Sequence, residues 1–104
     1  MELQPTSIEY LKLSVTVDVP LTMDVDVVLL PHDERPTAGA SWTRAQWQGP
    51  VGTTRVCRVL AGGRDSAVPS PAIVVPAGTW WPWVRLVDDP EVIVARSDSS
   101  VVGR

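Results

Sequence analysis

Twelve acidic side chains, one histidine and one cysteine are the residues of this 104-residue chain from which chemistry could be built. Asp18, Asp24 and Asp26 stand on outward positions of neighbouring strand patterns, and gathered carboxylate oxygens can hold calcium. Calcium loops bring their ligands together on one tight loop, however, so the three aspartates read as a solvated strand face and no metal is expected. His32 precedes Asp33 and Glu34 and could be drawn with them as a general base. No G-x-S-x-G pattern and no second histidine accompanies it, which leaves a surface-loop histidine. Cys57 in "TRVCRVL" could serve as a nucleophile. Val56 and Val59 around it place it instead at a buried or half-buried strand position, where a free thiol behaves as a small hydrophobe. A glycine loop that cradles phosphate must open a helix, and nothing helical follows "LAGGRDS", so this stretch reads as a hairpin turn. Asp88, Asp89 and Glu91 in "DDPE" could offer the two carboxylates of a glycosidase, yet adjacent acids in a proline-containing turn diverge instead of facing each other across a sugar. No constellation supports catalysis, and the chain reads as a non-enzyme without cofactor.

The aromatic residues carry more. "GTWWPWVRLVDDPE", Gly78 to Glu91, holds three of the five tryptophans. On a strand, Trp80, Pro82, Val84 and Leu86 share one face and Trp81, Trp83, Arg85 and Val87 the other. The first set reads as core. The second places Trp83 and Arg85 two residues apart on one side, where a guanidinium can lie over an indole, as it does at many protein interfaces and on ordinary sheet surfaces. A sugar-stacking platform is a further reading of the same cluster. Pro82 cannot donate to a ladder, so the strand is expected to be an edge there or to carry a bulge, and an edge is a natural docking line for another subunit.

The elements that must position these side chains are strands. Leu11, Leu13, Val15, Val17 and Val19 alternate with polar residues, and Met23, Val25, Val27 and Leu29 repeat the pattern, so the two segments are expected to pair through the connection near "PLT". "SWTRAQW" reads as a bulged strand, because Trp42 and Trp47 fit neither period. "TTRVCRVLAG", "AIVVP", the tryptophan stretch and "EVIVAR" are further strands, and residues 97–104 are a tail or a last half-strand. Ten prolines and seven glycines break any long helix, and only Glu34 to Trp47 could hold a short one. About seven short strands with turn signals between them predict a single all-β domain over residues 1–104, an antiparallel β-sandwich of immunoglobulin-like architecture.

Composition narrows the partners. A net charge of −3 repels a phosphate backbone, which disfavours direct nucleic-acid binding. No apolar run reaches the roughly 18 residues of a membrane helix, and "MELQPTSIEY" has neither a basic nor an apolar leader region, so a protein without membrane span or targeting signal is expected. A lone cysteine cannot form an internal disulfide or a zinc site, which suits a reducing compartment. Eight arginines to one lysine, with much valine and alanine, point to a GC-rich genome.

Three stretches, "EYLKLSVTVDVPLTMDVDVVLLP", "SWTRAQWQGPVGTTRVCRVLAG" and "PAGTWWPWVRLVDDPEVIVARSDSSVVGR", together resemble small virion-associated proteins of tailed phages and prophages of actinobacteria. The positions carrying the resemblance are Trp42, Trp47, Gly49, Thr54, Arg55, Gly78, Thr79, Trp83, Val84, Arg85, Asp88, Pro90 and Glu91. Trp81 and Pro82 depart from the usual polar and aliphatic pair, and "SDSSVVGR" lacks the glycine that opens the last strand. The resemblance implies an Ig-like structural protein, made in the bacterial host cytoplasm and built into the virion in many copies. Its partners would be capsid, connector or tail subunits, at the head-to-tail connection (neck) or as capsid decoration or tail accessory. Trp81, Trp83, Arg85 and Arg55 are the expected interface residues, and Trp81 and Trp83 would serve a carbohydrate-binding adhesion module in the alternative reading.

Overall fold

β-branched side chains at every second position favour extended backbone and need cover on one side only, and two sheets supply that cover for each other. The computed structural model describes residues 1–31, 35–88, 90–97 and 99–104, which form ten strand segments and no helix. They are β1 (Glu2–Leu3), β2 (Ile8–Thr16), β3 (Val25–Leu30), β4 (Thr43–Arg44), β5 (Gln46–Gln48), β6 (Thr54–Gly63), β7 (Ala72–Val75), β8 (Gly78–Asp88), β9 (Glu91–Arg96) and β10 (Val101–Gly103). The expected number was about seven. The excess arises where "SWTRAQW" splits into β4 and β5 and where short segments form at the two ends of the chain.

One sheet runs β1-β10-β8-β3-β4 with β9 also on β8, and the other runs β2-β6-β5 with β7 also on β6. The long strands β8 and β6 are central to their sheets. Each has a single partner on one side, β3 or β2, and shares its other side between two strands, β9 and β10 or β5 and β7. Val25, Val27, Val84 and Leu86 from the first sheet meet Leu11, Leu13, Cys57, Val59 and Ala61 from the second in one buried cluster. Burying an aliphatic side chain of this kind is worth about 1.5–3 kcal/mol, so this layer is the main stabilising element.

Several local readings change. β2 and β3 do not pair with each other: β2 pairs with β6 and β3 with β8. Pro20 prevents a tight hairpin, and the connection crosses between sheets instead, with Val17 and Leu21 donating to Thr53 and Gly52 carbonyls and Leu21 fully buried. "LAGGRDS" does make a turn, in which Ser66 N donates to Gly63 O, but it leads into β7, which runs parallel to β6, so it is not a hairpin turn. Gly63 is required there because a Cβ would collide with the Gln4 and Pro5 carbonyls.

β8 is an interior strand, contrary to the expected edge. Its Pro82 carbonyl accepts from Ser97 N on the β9 side. A strand residue directs its N–H and C=O to the same side. The missing donor of Pro82 therefore faces the gap where β9 gives way to β10, and the ladder to β3 loses nothing. The terminal residues form β10, antiparallel to β8 and parallel to β1, and Arg104 closes the pairing with a 2.8 Å ion pair to Glu2.

Candidate contact face

Strand alternation places Trp81, Trp83 and Arg85 of β8 on the outer face of the six-stranded sheet, as the sequence predicts. The register then decides their neighbours. Asp26 of β3 lies between Arg44 of β4 and Arg85 of β8, in a row of three adjacent strands. In the next row Trp83 stands between Val28 of β3 and Arg96 of β9, and Trp81 pairs with Leu30. Because β8 has strands on both sides along this stretch, Trp83 is flanked from every direction and only 9% of it is exposed. It is a buried side chain on the outer face, and its indole N–H has no hydrogen-bond partner among the described residues. Trp81 and Arg85 are half-buried.

The Asp26 cluster locks this face. Arg44 Nε donates to Oδ1 at 2.7 Å, and Arg85 donates to Oδ2 through Nη2 at 2.8 Å and Nε at 3.2 Å. The Asp26 side chain is 5% exposed, which corrects the reading of this residue as part of a solvated face. Burial alone would push its carboxyl up, but hydrogen bonds from Arg44 and Arg85, with their charges, outweigh that and hold it below its ordinary value. Asp24 remains exposed and reaches Arg44 at 2.9 Å. Asp18 lies exposed in the β2–β3 connection, and among the described residues no three His, Cys, Asp or Glu side chains form a metal-binding group. His32, Asp33, Glu34 and Asp89 lie outside the described residues.

Fixing Arg85 in this way lays its guanidinium over the Trp42 ring at 4.7 Å, and Arg96 stacks over Trp81 at 4.9 Å. Sequence spacing pointed to Arg85 over Trp83; the partner is Trp42, 43 positions earlier in the chain. The split at Ala45 explains why the Trp42 and Trp47 spacing matched no period. β4 belongs to the sheet of β3, while β5 belongs to the sheet of β6, so the two indoles serve different sheets. Trp47 packs against the core and donates to the Met23 carbonyl at 2.7 Å. Trp80, expected in the core, is half-buried against it, with Nε1 donating to the Pro76 carbonyl at 2.9 Å.

Arg55 is a loop fastener. It donates to the Gly49 carbonyl through Nε and Nη2 at 3.3 and 3.1 Å, and to the Leu21 carbonyl through Nη1 at 2.8 Å, with its guanidinium 5.4 Å from the Trp47 ring centre. Gly49, at φ +76°, makes that turn possible. Cys57 is fully buried, and loss of solvation pushes its thiol up to about 11, so it is protonated at neutral pH. Of the expected interface residues, the fold brings together Trp81, Trp83 and Arg85 on one face, adds Trp42, Arg96 and Arg44, and sets Arg55 elsewhere. No protein-family model, curated protein or solved structure matches this chain.

Proposed function

We propose that this chain is a non-enzymatic structural component of a tailed-phage virion, of Ig-like architecture, which works through protein contacts in many copies. The neck is the favoured position, with capsid decoration or a tail accessory role as the alternative. One observation carries the contact reading. Trp42 and Trp81 are presented half-buried on an outer sheet face with guanidinia stacked on them, one of which is clamped by the buried Asp26. Large apolar rings held in place by stacked guanidinia lose little freedom when a partner covers them, and such aromatic and arginine groups dominate the energy of protein interfaces. The virion assignment itself is supported by the sequence resemblance, which spans nearly the whole chain.

The test is mass spectrometry of purified particles combined with incorporation of a Trp81→Ala variant. The protein is expected in the particles at a fixed multiple of a ring or shell symmetry, and the variant is expected to fold but to be lost from them. A protein absent from purified virions would end the proposal. Glycan-array binding that disappears in Trp81→Ala would replace it with the adhesion reading.

A further inference from the structure

We propose a second contact surface, on the opposite sheet, that receives the β8–β9 hairpin of another copy of this chain. The proposal does not depend on the virion assignment. Its first ground is the free edge of β2. Gly63 N donates to Ser7 O and Val17 N to Thr53 O, and hydrogen-bonded and non-bonded pairs alternate along an antiparallel ladder. The odd-numbered residues between these anchors therefore bond to β6. The N–H and C=O groups of Ile8, Tyr10, Lys12, Ser14 and Thr16 point away from the sheet, and no other described strand pairs with β2. An edge strand of nine residues whose alternate backbone groups face outward is an invitation to association.

The second ground is charge. The outward strand positions of this sheet carry no Asp or Glu, although the chain as a whole is −3. Lys12 stands directly opposite Arg58, a like-charge pair that disfavours the isolated fold. The Arg58 guanidinium lies over Tyr10 at 4.4 Å, and its Nε has no hydrogen-bond partner among the described residues. Beside these cations lie exposed apolar side chains, Ile8, Tyr10 and Val74.

The complement is present on the same molecule. At the β8–β9 tip, Asp88 pairs with Glu91 and Val87 with Val92, with both acids exposed and the two valines 41% and 57% exposed. The two acids share one face of the hairpin and match the two cations, while the two valines lie on its other face. The tip belongs to the six-stranded sheet and the receiving face looks outward from the other, so one copy cannot satisfy itself. The contact is heterologous, and repetition gives a ring if the rotation closes and a filament if it does not.

Sedimentation velocity of the full chain over a concentration series, at low and high salt, tests this. Reversible association that weakens with salt is expected. Lys12→Glu and Glu91→Lys each weaken it tenfold or more, and the two changes in one chain restore it. Both residues are exposed, and circular dichroism of each variant checks the fold. A wild-type chain that stays monomeric at every concentration overturns the proposal. So does single-variant association equal to wild type, or failure of the double variant to recover.

Discussion

Asp26→Asn is the substitution that best probes how the contact face is held, because it changes charge at nearly constant volume. Asp26 accepts three hydrogen bonds from two arginines, with its side chain 5% exposed. An asparagine keeps one oxygen, so one arginine then faces an amide N–H₂. A hydrogen bond to a charged group is worth about 1.5–3 kcal/mol, and removing one member of a buried ion pair costs about 3–5 kcal/mol. Arg44 and Arg85 retain 56% and 33% side-chain exposure and can turn toward water, which reduces the loss. The expected destabilisation is about 2–3 kcal/mol, or about 10–15 °C in Tm for a domain of this size. Asp24→Asn is the internal control. Its side chain is 72% exposed, so the change is expected to stay within about 0.5 kcal/mol. Thermal and urea unfolding by circular dichroism measure both. The pH dependence has a definite sign. The Asp26 carboxyl is held low in the fold, so its contribution is full above the unfolded value of about 3.9 and is lost as pH falls through the folded value. The wild-type advantage over Asp26→Asn therefore narrows below about pH 4. Equal stability of the Asp26→Asn and Asp24→Asn variants would refute the claim that the buried carboxylate holds this face.

Three further outcomes follow from the geometry. Trp83→Ala is expected to cost about 3–5 kcal/mol in urea unfolding, since the indole is 9% exposed, whereas Trp81→Ala is expected to cost less than half of that. Cys57 is expected to resist thiol reagents at pH 8 in the folded state and to react on denaturation, because its thiol is buried with a pKa near 11; rapid labelling of the native protein would contradict its placement. Arg55→Ala frees the Gly49 and Leu21 carbonyls together, so faster amide hydrogen exchange is expected at residues 21–22, 49 and 51–53 with little change in β8.

The strands were legible in the sequence wherever alternation ran long enough, as in β2, β3 and β8, since period 2 is a property of consecutive residues. The inward sets, Leu11 and Leu13 or Val84 and Leu86, followed directly. Pairing was less legible. β2 and β3 have similar amphipathic patterns and adjoin in sequence, yet each lies in a different sheet, because burying two apolar faces against each other is worth more than a local hairpin interrupted by Pro20. The contact face was legible only in outline. Trp81, Trp83 and Arg85 share a side of β8 by alternation alone, but Trp42, Arg44 and Arg96 reach them through the pairing of β4 with β3 and of β9 with β8, which no local pattern announces.

The sequence by itself determined that this is a β protein and which residues point in and out along its long strands. Only the tertiary structure decided which outward residues stay exposed. Trp83 and Asp26 both point away from the core and both are buried, because coverage depends on side chains brought alongside by the register of neighbouring strands. Trp83 is enclosed by Val28 and Arg96 to either side, and Asp26 by Arg44 and Arg85.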